Sequence, residues 1–149
     1  MKLSQMREEL IAEHAELRRL ASHVTAEAER VLQGEGASAE GLRSLLARFD
    51  DALQAHNRHE ESLLRDEIRH LDAWGPQREA LMDDVHEAEH SSIVSALGET
   101  TTSGDAREIA ERGMAVVRRV LEHIQAEERE LLHPDVLRDD IVTVQGASE

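Results

Sequence analysis

Four stretches of this chain place apolar side chains at steps of three and four residues, with a single step of seven, and each stripe is interrupted by histidine. Such steps line one face of an α-helix. The chain is thereby committed to amphipathic helices that must bury their stripes against one another. The first stripe runs Leu3, Leu10, His14, Leu17, Ala21, Val24, Ala28 and Val31, and Gln33-Gly34-Glu35-Gly36 breaks it. The second has Ser38 as a suitable N-cap and runs Leu42, Leu45, Phe49, Leu53, His56, Glu60 and Leu63. It is expected to continue to about Leu71, before a turn at Trp74-Gly75-Pro76 in which Pro76 opens the next helix. The third carries Met82, His86, His90, Ile93 and Leu97, after which Gly98 to Gly104, rich in Thr and Ser, reads as a loop. The fourth starts near Asp105, another good cap, and runs Ile109, Gly113, Val116, Val120, His123, Glu127 and Leu131 until Pro134 stops it.

Short connections between four such helices predict an all-α fold, an up-down-up-down antiparallel four-helix bundle. It should occupy residues 1–134, leaving 135–149 as a loosely ordered C-terminal tail. Composition agrees, because Ala, Leu, Glu and Arg dominate while Tyr is absent. A net charge of -15 speaks against a nucleic-acid partner, whose phosphates would be repelled. No apolar run approaches the roughly 20 residues that span a bilayer, and no secretory segment follows Met1, so no membrane partner and a cytoplasmic location are expected. Without cysteine there are no disulfides, thiolate metal sites, iron–sulfur clusters or cysteine nucleophiles.

The nine histidines carry the functional signal. Residues four apart differ by only about 40° around a helix, so they share a face. His56 and Glu60 therefore point the same way, as do His86 and His90, and His123 and Glu127; His14 stands alone on the first stripe. A single histidine on an apolar face is usually a satisfied core residue. Two carboxylates on core-facing stripes are different, because burying an unpartnered carboxylate costs several kcal/mol. No Lys or Arg lies on these stripes near Glu60 or Glu127 to offset that cost. Bound cations would. Imidazole and carboxylate suit non-heme iron, with zinc and manganese as competitors. His23, His70 and His133 fall off the cluster, His59 is expected to be exposed, and Glu61 and Glu128 to sit at the stripe edge, each a possible substitute for the carboxylate before it.

The ordered set resembles the hemerythrin family, in its bacterial hemerythrin-like (HHE cation-binding) branch. That family has a lone His on the first helix, His-x-x-x-Glu on the second, His-x-x-x-His on the third, and on the fourth a His followed four or five residues later by a carboxylate. The chain supplies His14, His56 with Glu60, His86 with His90, and His123 with Glu127, in that order and over roughly Leu3 to Pro134. The resemblance implies two non-heme irons bridged by Glu60, Glu127 and an oxo or hydroxo group. His86, His90 and His123 would hold one iron, and His14 and His56 the other, which keeps an open position for dioxygen, peroxide or nitric oxide. Two departures are notable. Leu132-His133-Pro134 stands where relatives often carry Phe before the proline, and the pocket wall would be aliphatic, from Leu10, Leu17, Leu53 and Val120.

On this reading the chain binds, senses or stores oxygen at a five-His, two-Glu site. Peroxide disproportionation is the first alternative. Iron oxidation fits less well, because ferritin-like sites use more carboxylate than imidazole. The absence of Tyr speaks against an oxidase that works through a tyrosyl radical. A metal-free helical interaction module is the remaining alternative.

Overall fold

The computed structural model describes residues 2–35, 38–66, 87–102, 104–130 and 132. They form four helices: α1 over Leu3–Gln33, α2 over Ala39–Asp66, α3 over Glu87–Thr102 and α4 over Ala106–Glu130. The expected extension to Leu71, the Trp74-Gly75-Pro76 turn, and Met82, His86, Leu131, Pro134 and the 135–149 tail lie outside the described residues.

Local chemistry sets the helix ends. Gly34 adopts a left-handed φ of 72°, a conformation that costs glycine nothing. The Glu35 N–H then reaches the Arg30 carbonyl at 3.0 Å and the Gly34 N–H reaches that of Val31 at 3.2 Å, closing the last turn of α1. Ser38 caps α2, accepting the Gly41 N–H on Oγ at 3.1 Å. Asp105 does the same for α4, accepting the Arg107 N–H at 2.8 Å.

One boundary differs from expectation. Gly98 to Thr102 are helical and belong to α3, not to a loop. Thr100 is buried and its hydroxyl donates to the Ala96 carbonyl at 2.8 Å, while Thr102 donates to the Glu99 carbonyl at 2.9 Å. These hydroxyls satisfy themselves on the helix's own carbonyls, so a polar composition does not end it.

Helix α1 packs on α2 and α4, and α3 completes the bundle against α2 and α4. Directions follow from matched levels. On α1 and α2, His14 meets His56, while Glu27 lies near Gly41, so the two run antiparallel. Helices α3 and α4 are antiparallel too, with Glu89 near Arg119 and Thr100 beside Arg112. Between α2 and α4 the order is shared, Leu46 beside Gly113 and Glu60 beside Glu127, as for a parallel diagonal pair. That is the up-down-up-down arrangement.

The expected stripe residues of α1 and α2 are buried except Val31 and Leu45, which are partly buried against the core. The core is wider than the stripes. Met6, Leu20, Leu46, Ala110, Val117 and Ile124 are also buried, because a bundle helix touches more than one neighbour. Among the described residues no helix is long and apolar enough to cross a membrane.

Candidate metal centre

Each helix brings one histidine to a common level in the bundle. His14 of α1, His56 of α2 and His90 of α3 are buried, and His123 of α4 is partly buried. Glu60 and Glu127, both buried, come with them. These six residues fall into two overlapping groups, each with ligand atoms within 4.8 Å of one another: His14, His56, Glu60 and Glu127, and then His90, His123 and Glu127. The imidazoles of His14 and His56 meet edge to face with ring centres 4.7 Å apart, and those of His90 and His123 at 5.1 Å.

All four histidines turn Nε2 inward. The Nε2 atoms of His14 and His56 are 3.1 Å apart. Glu60 sets one carboxylate oxygen 3.1 Å from Nε2 of His56 and the other 3.6 Å from Nε2 of His90. Glu127 repeats this with one oxygen 3.8 Å from Nε2 of His14 and the other paired with Nε2 of His123. Each carboxylate thus offers one oxygen to each half of the cluster. The i,i+4 spacing of His56 with Glu60, and of His123 with Glu127, makes this possible from single helices.

Charge in the metal-free cluster is finely divided. Burial would lower the His56 pKa, but its hydrogen bonds to Glu13 and Glu60 hold it up at about 9, so it is an imidazolium at neutral pH. Burial and the neighbouring His56 charge push His14 down to about 4. Neutral His14 can then accept from the Nε2–H of His56. Burial, then the charge of Glu60, pushes the Glu127 carboxyl well above the ordinary carboxylate range. Two carboxylates packed together in an apolar core cannot both ionise without a compensating cation. The site holds protons where the donor set suits a metal, and the residues present fit divalent cations.

Of the seven residues picked out in the sequence, six are brought together; His86 lies outside the described residues. Glu127 enters the cluster, whereas Glu128 is gripped by Arg18 through both guanidinium nitrogens and stands 3.6 Å from Nδ1 of His14. That pairing, opposed by burial, holds the Glu128 carboxyl below its usual range. His23 lies off the cluster, as expected, and is exposed. His59 is partly exposed, but its Nδ1 meets Glu13 at 2.6 Å, so it is engaged as well. His70 and His133 lie outside the described residues.

Two participants were not foreseen in these roles. Glu13 accepts from Nδ1 of His56 at 2.8 Å, and Glu61 accepts from Nδ1 of His90 at 3.0 Å. Their signal in the sequence is slight: each sits next to a cluster residue, Glu13 before His14 and Glu61 after Glu60. Leu10, Leu17, Leu53 and Val120, expected around the site, are all buried.

A family model for the hemerythrin HHE cation binding domain matches residues 5–134. No curated protein and no solved structure matches the chain.

Proposed function

Because the chain belongs to the hemerythrin HHE cation binding domain family, we propose that it is a non-heme di-iron protein that binds dioxygen, or peroxide or nitric oxide, for oxygen binding, sensing or storage. The observation that carries this reading is the placement of Glu60 and Glu127, each with one oxygen toward the His14–His56 half and one toward the His90–His123 half. Carboxylates that span two sets of imidazoles suit two cations better than one.

In this reading Glu60 and Glu127 would be shared between two cations, with His14 and His56 holding one and His90 and His123 the other. His86, four residues before His90 in the sequence, would supply the third imidazole of that second half. Two irons, when bound, would supply the positive charge that lets both carboxylates ionise, and the electrons a diatomic ligand needs. The chain does the rest. Four imidazoles on four helices hold the level of the site, and buried aliphatic side chains keep bulk water out. With fewer imidazoles, the His14–His56 half is where a small ligand has room.

Metal analysis of gently purified protein, combined with its optical spectrum, tests this. About two irons per chain are expected, as a two-metal site requires. His56→Ala and Glu60→Ala should each cut that occupancy, and His23→Ala, at an exposed position, should not. Full iron retention in both cluster variants would defeat the assignment. Zinc or manganese alone would change the metal but keep the site. An oxygenated band that reverses under vacuum supports binding or sensing. Sustained gas evolution from peroxide would instead mark a catalase-like enzyme.

A further inference from the structure

The buried histidines of the centre are held from outside by carboxylates, and the order of these contacts follows the ring of helices. Glu13 of α1 accepts from His56 of α2 at 2.8 Å. Glu61 of α2 accepts from His90 of α3 at 3.0 Å. Glu128 of α4 stands 3.6 Å from Nδ1 of His14 on α1, beyond hydrogen-bond reach, and is drawn away by Arg18. In every case the carboxylate sits on the helix before the histidine, going round the bundle, and faces Nδ1.

Glu13 and Glu61 have an alternative to these contacts. Their side chains are 33% and 30% exposed, against 2% for His56 and 5% for His90. Partly solvated carboxylates could stay wholly in water. Instead each spends an oxygen on a ring nitrogen that is otherwise sealed in the core. The two histidines belong to different halves of the cluster, and both turn Nε2 inward.

We propose that Glu13 and Glu61 are positioning residues of the metal centre, one for each half. Each fixes a proton on Nδ1, and so leaves the Nε2 lone pair of His56 or His90 as the atom that meets the cation. This rests on the metal-binding reading above. A ring nitrogen that donates to a carboxylate also makes its opposite nitrogen a better electron donor, which strengthens the metal bond. Glu128, at its longer distance, contributes less. His59 backs Glu13 from the surface, its Nδ1 at 2.6 Å from the second carboxylate oxygen.

Zinc is a suitable probe, being diamagnetic and free of redox change. Nitrogen-15 NMR of the zinc-loaded protein should show Nε2 coordinated and Nδ1 protonated for His56 and His90. Coordination through Nδ1 at either residue overturns the proposal. Chelator competition should show that Glu13→Ala and Glu61→Ala each weaken zinc binding about 10- to 100-fold. Glu13→Gln and Glu61→Gln keep an oxygen acceptor and should recover much of the loss. Glu128→Ala should change less, and Glu16→Ala, on the exposed face, not at all. Alanine variants that keep their helical content and bind zinc like the unmutated chain would sink the inference alone. If either fails to fold, the NMR signature of the unmutated protein decides. If the unmutated chain binds no zinc, cobalt or iron, the metal-centre reading fails first, and this one with it.

Discussion

The same helices build two very different layers. Toward the Gly34 end, Leu42, Leu46 and Phe49 of α2 join Val24 and Ala28 of α1 and Ile109 and Val117 of α4, all shielded from solvent. At the other layer, about two to three turns beyond Phe49 along the same stripe of α2, His56 and Glu60 take the places of leucine. The first layer is complete in itself, because apolar surface is satisfied by contact with more of the same. The second gathers two carboxylates and four imidazoles, whose charge is set by protons or cations taken up from outside the chain. Helix periodicity is indifferent to this contrast. The stability of the two layers is not, and should respond oppositely to mutation, pH and metal.

The largest effect belongs to the apolar layer. Phe49 is fully buried among its cluster neighbours. Phe49→Ala should cost about 3–5 kcal/mol from lost burial and the cavity left behind. The loss, read from denaturant midpoints, should be similar with and without iron. A loss confined to the metal-free form would mean that the two layers are not energetically separate.

A pH series on the metal-free protein probes the other layer. His56 holds its proton up to about 9, against an ordinary 6.5, so the folded state binds that proton more tightly than the unfolded chain. The resulting stabilisation is fully present below pH 6.5 and disappears as pH rises through 9. It is on the order of 3 kcal/mol. Glu127, raised by burial and by Glu60, acts in the same direction. His14 does the reverse: its value of about 4 gives a contribution present above 6.5 and lost as pH falls through 4. With metal bound, the His56 proton has been displaced, so the decline between pH 6.5 and 9 should flatten. A metal-free midpoint that stays level across that window would contradict the charge state assigned to His56.

The apolar layer and most of the polar one could be read from residue spacing, because both obey the same rule of threes and fours. His14, His56, Glu60, His90, His123 and Glu127 fall on their stripes and meet as expected. What spacing could not reach was of two kinds. Thr100 and Thr102 look like loop residues by type, yet their hydroxyls bond to carbonyls one turn back and the helix runs on. Glu13 and Glu61 lie off the centre of their stripes. Their roles depend on long side chains reaching a ring on the next helix, and a helix-by-helix pattern does not include its neighbour. Spacing alone also could not separate Glu127 from Glu128: Glu127 lies in the cluster, while Glu128 is tied to Arg18, 110 residues earlier.

The smallest of these effects has the most telling sign. Glu127→Met keeps side-chain length and removes the carboxyl group. In the apolar layer any such exchange of a packed residue would cost stability. At Glu127 it should instead stabilise the metal-free bundle by about 1–2 kcal/mol, since a protonated carboxyl buried beside Glu60 is exchanged for an apolar side chain with no desolvation cost. His56 keeps its hydrogen bonds to Glu13 and Glu60, so its charge is not stranded by the change. The variant should also lose any rise in denaturant midpoint that added metal gives the unmutated chain, because Glu127 belongs to both halves of the cluster. Gain without metal and no response to metal, measured in one pair of denaturation curves, would mean that Glu127 is kept for binding at the expense of the fold. A variant less stable than the unmutated chain in the absence of metal would mean that the Glu127 contacts with His123 and His14 hold the bundle together by themselves, and the contrast between the layers would fail at its central residue.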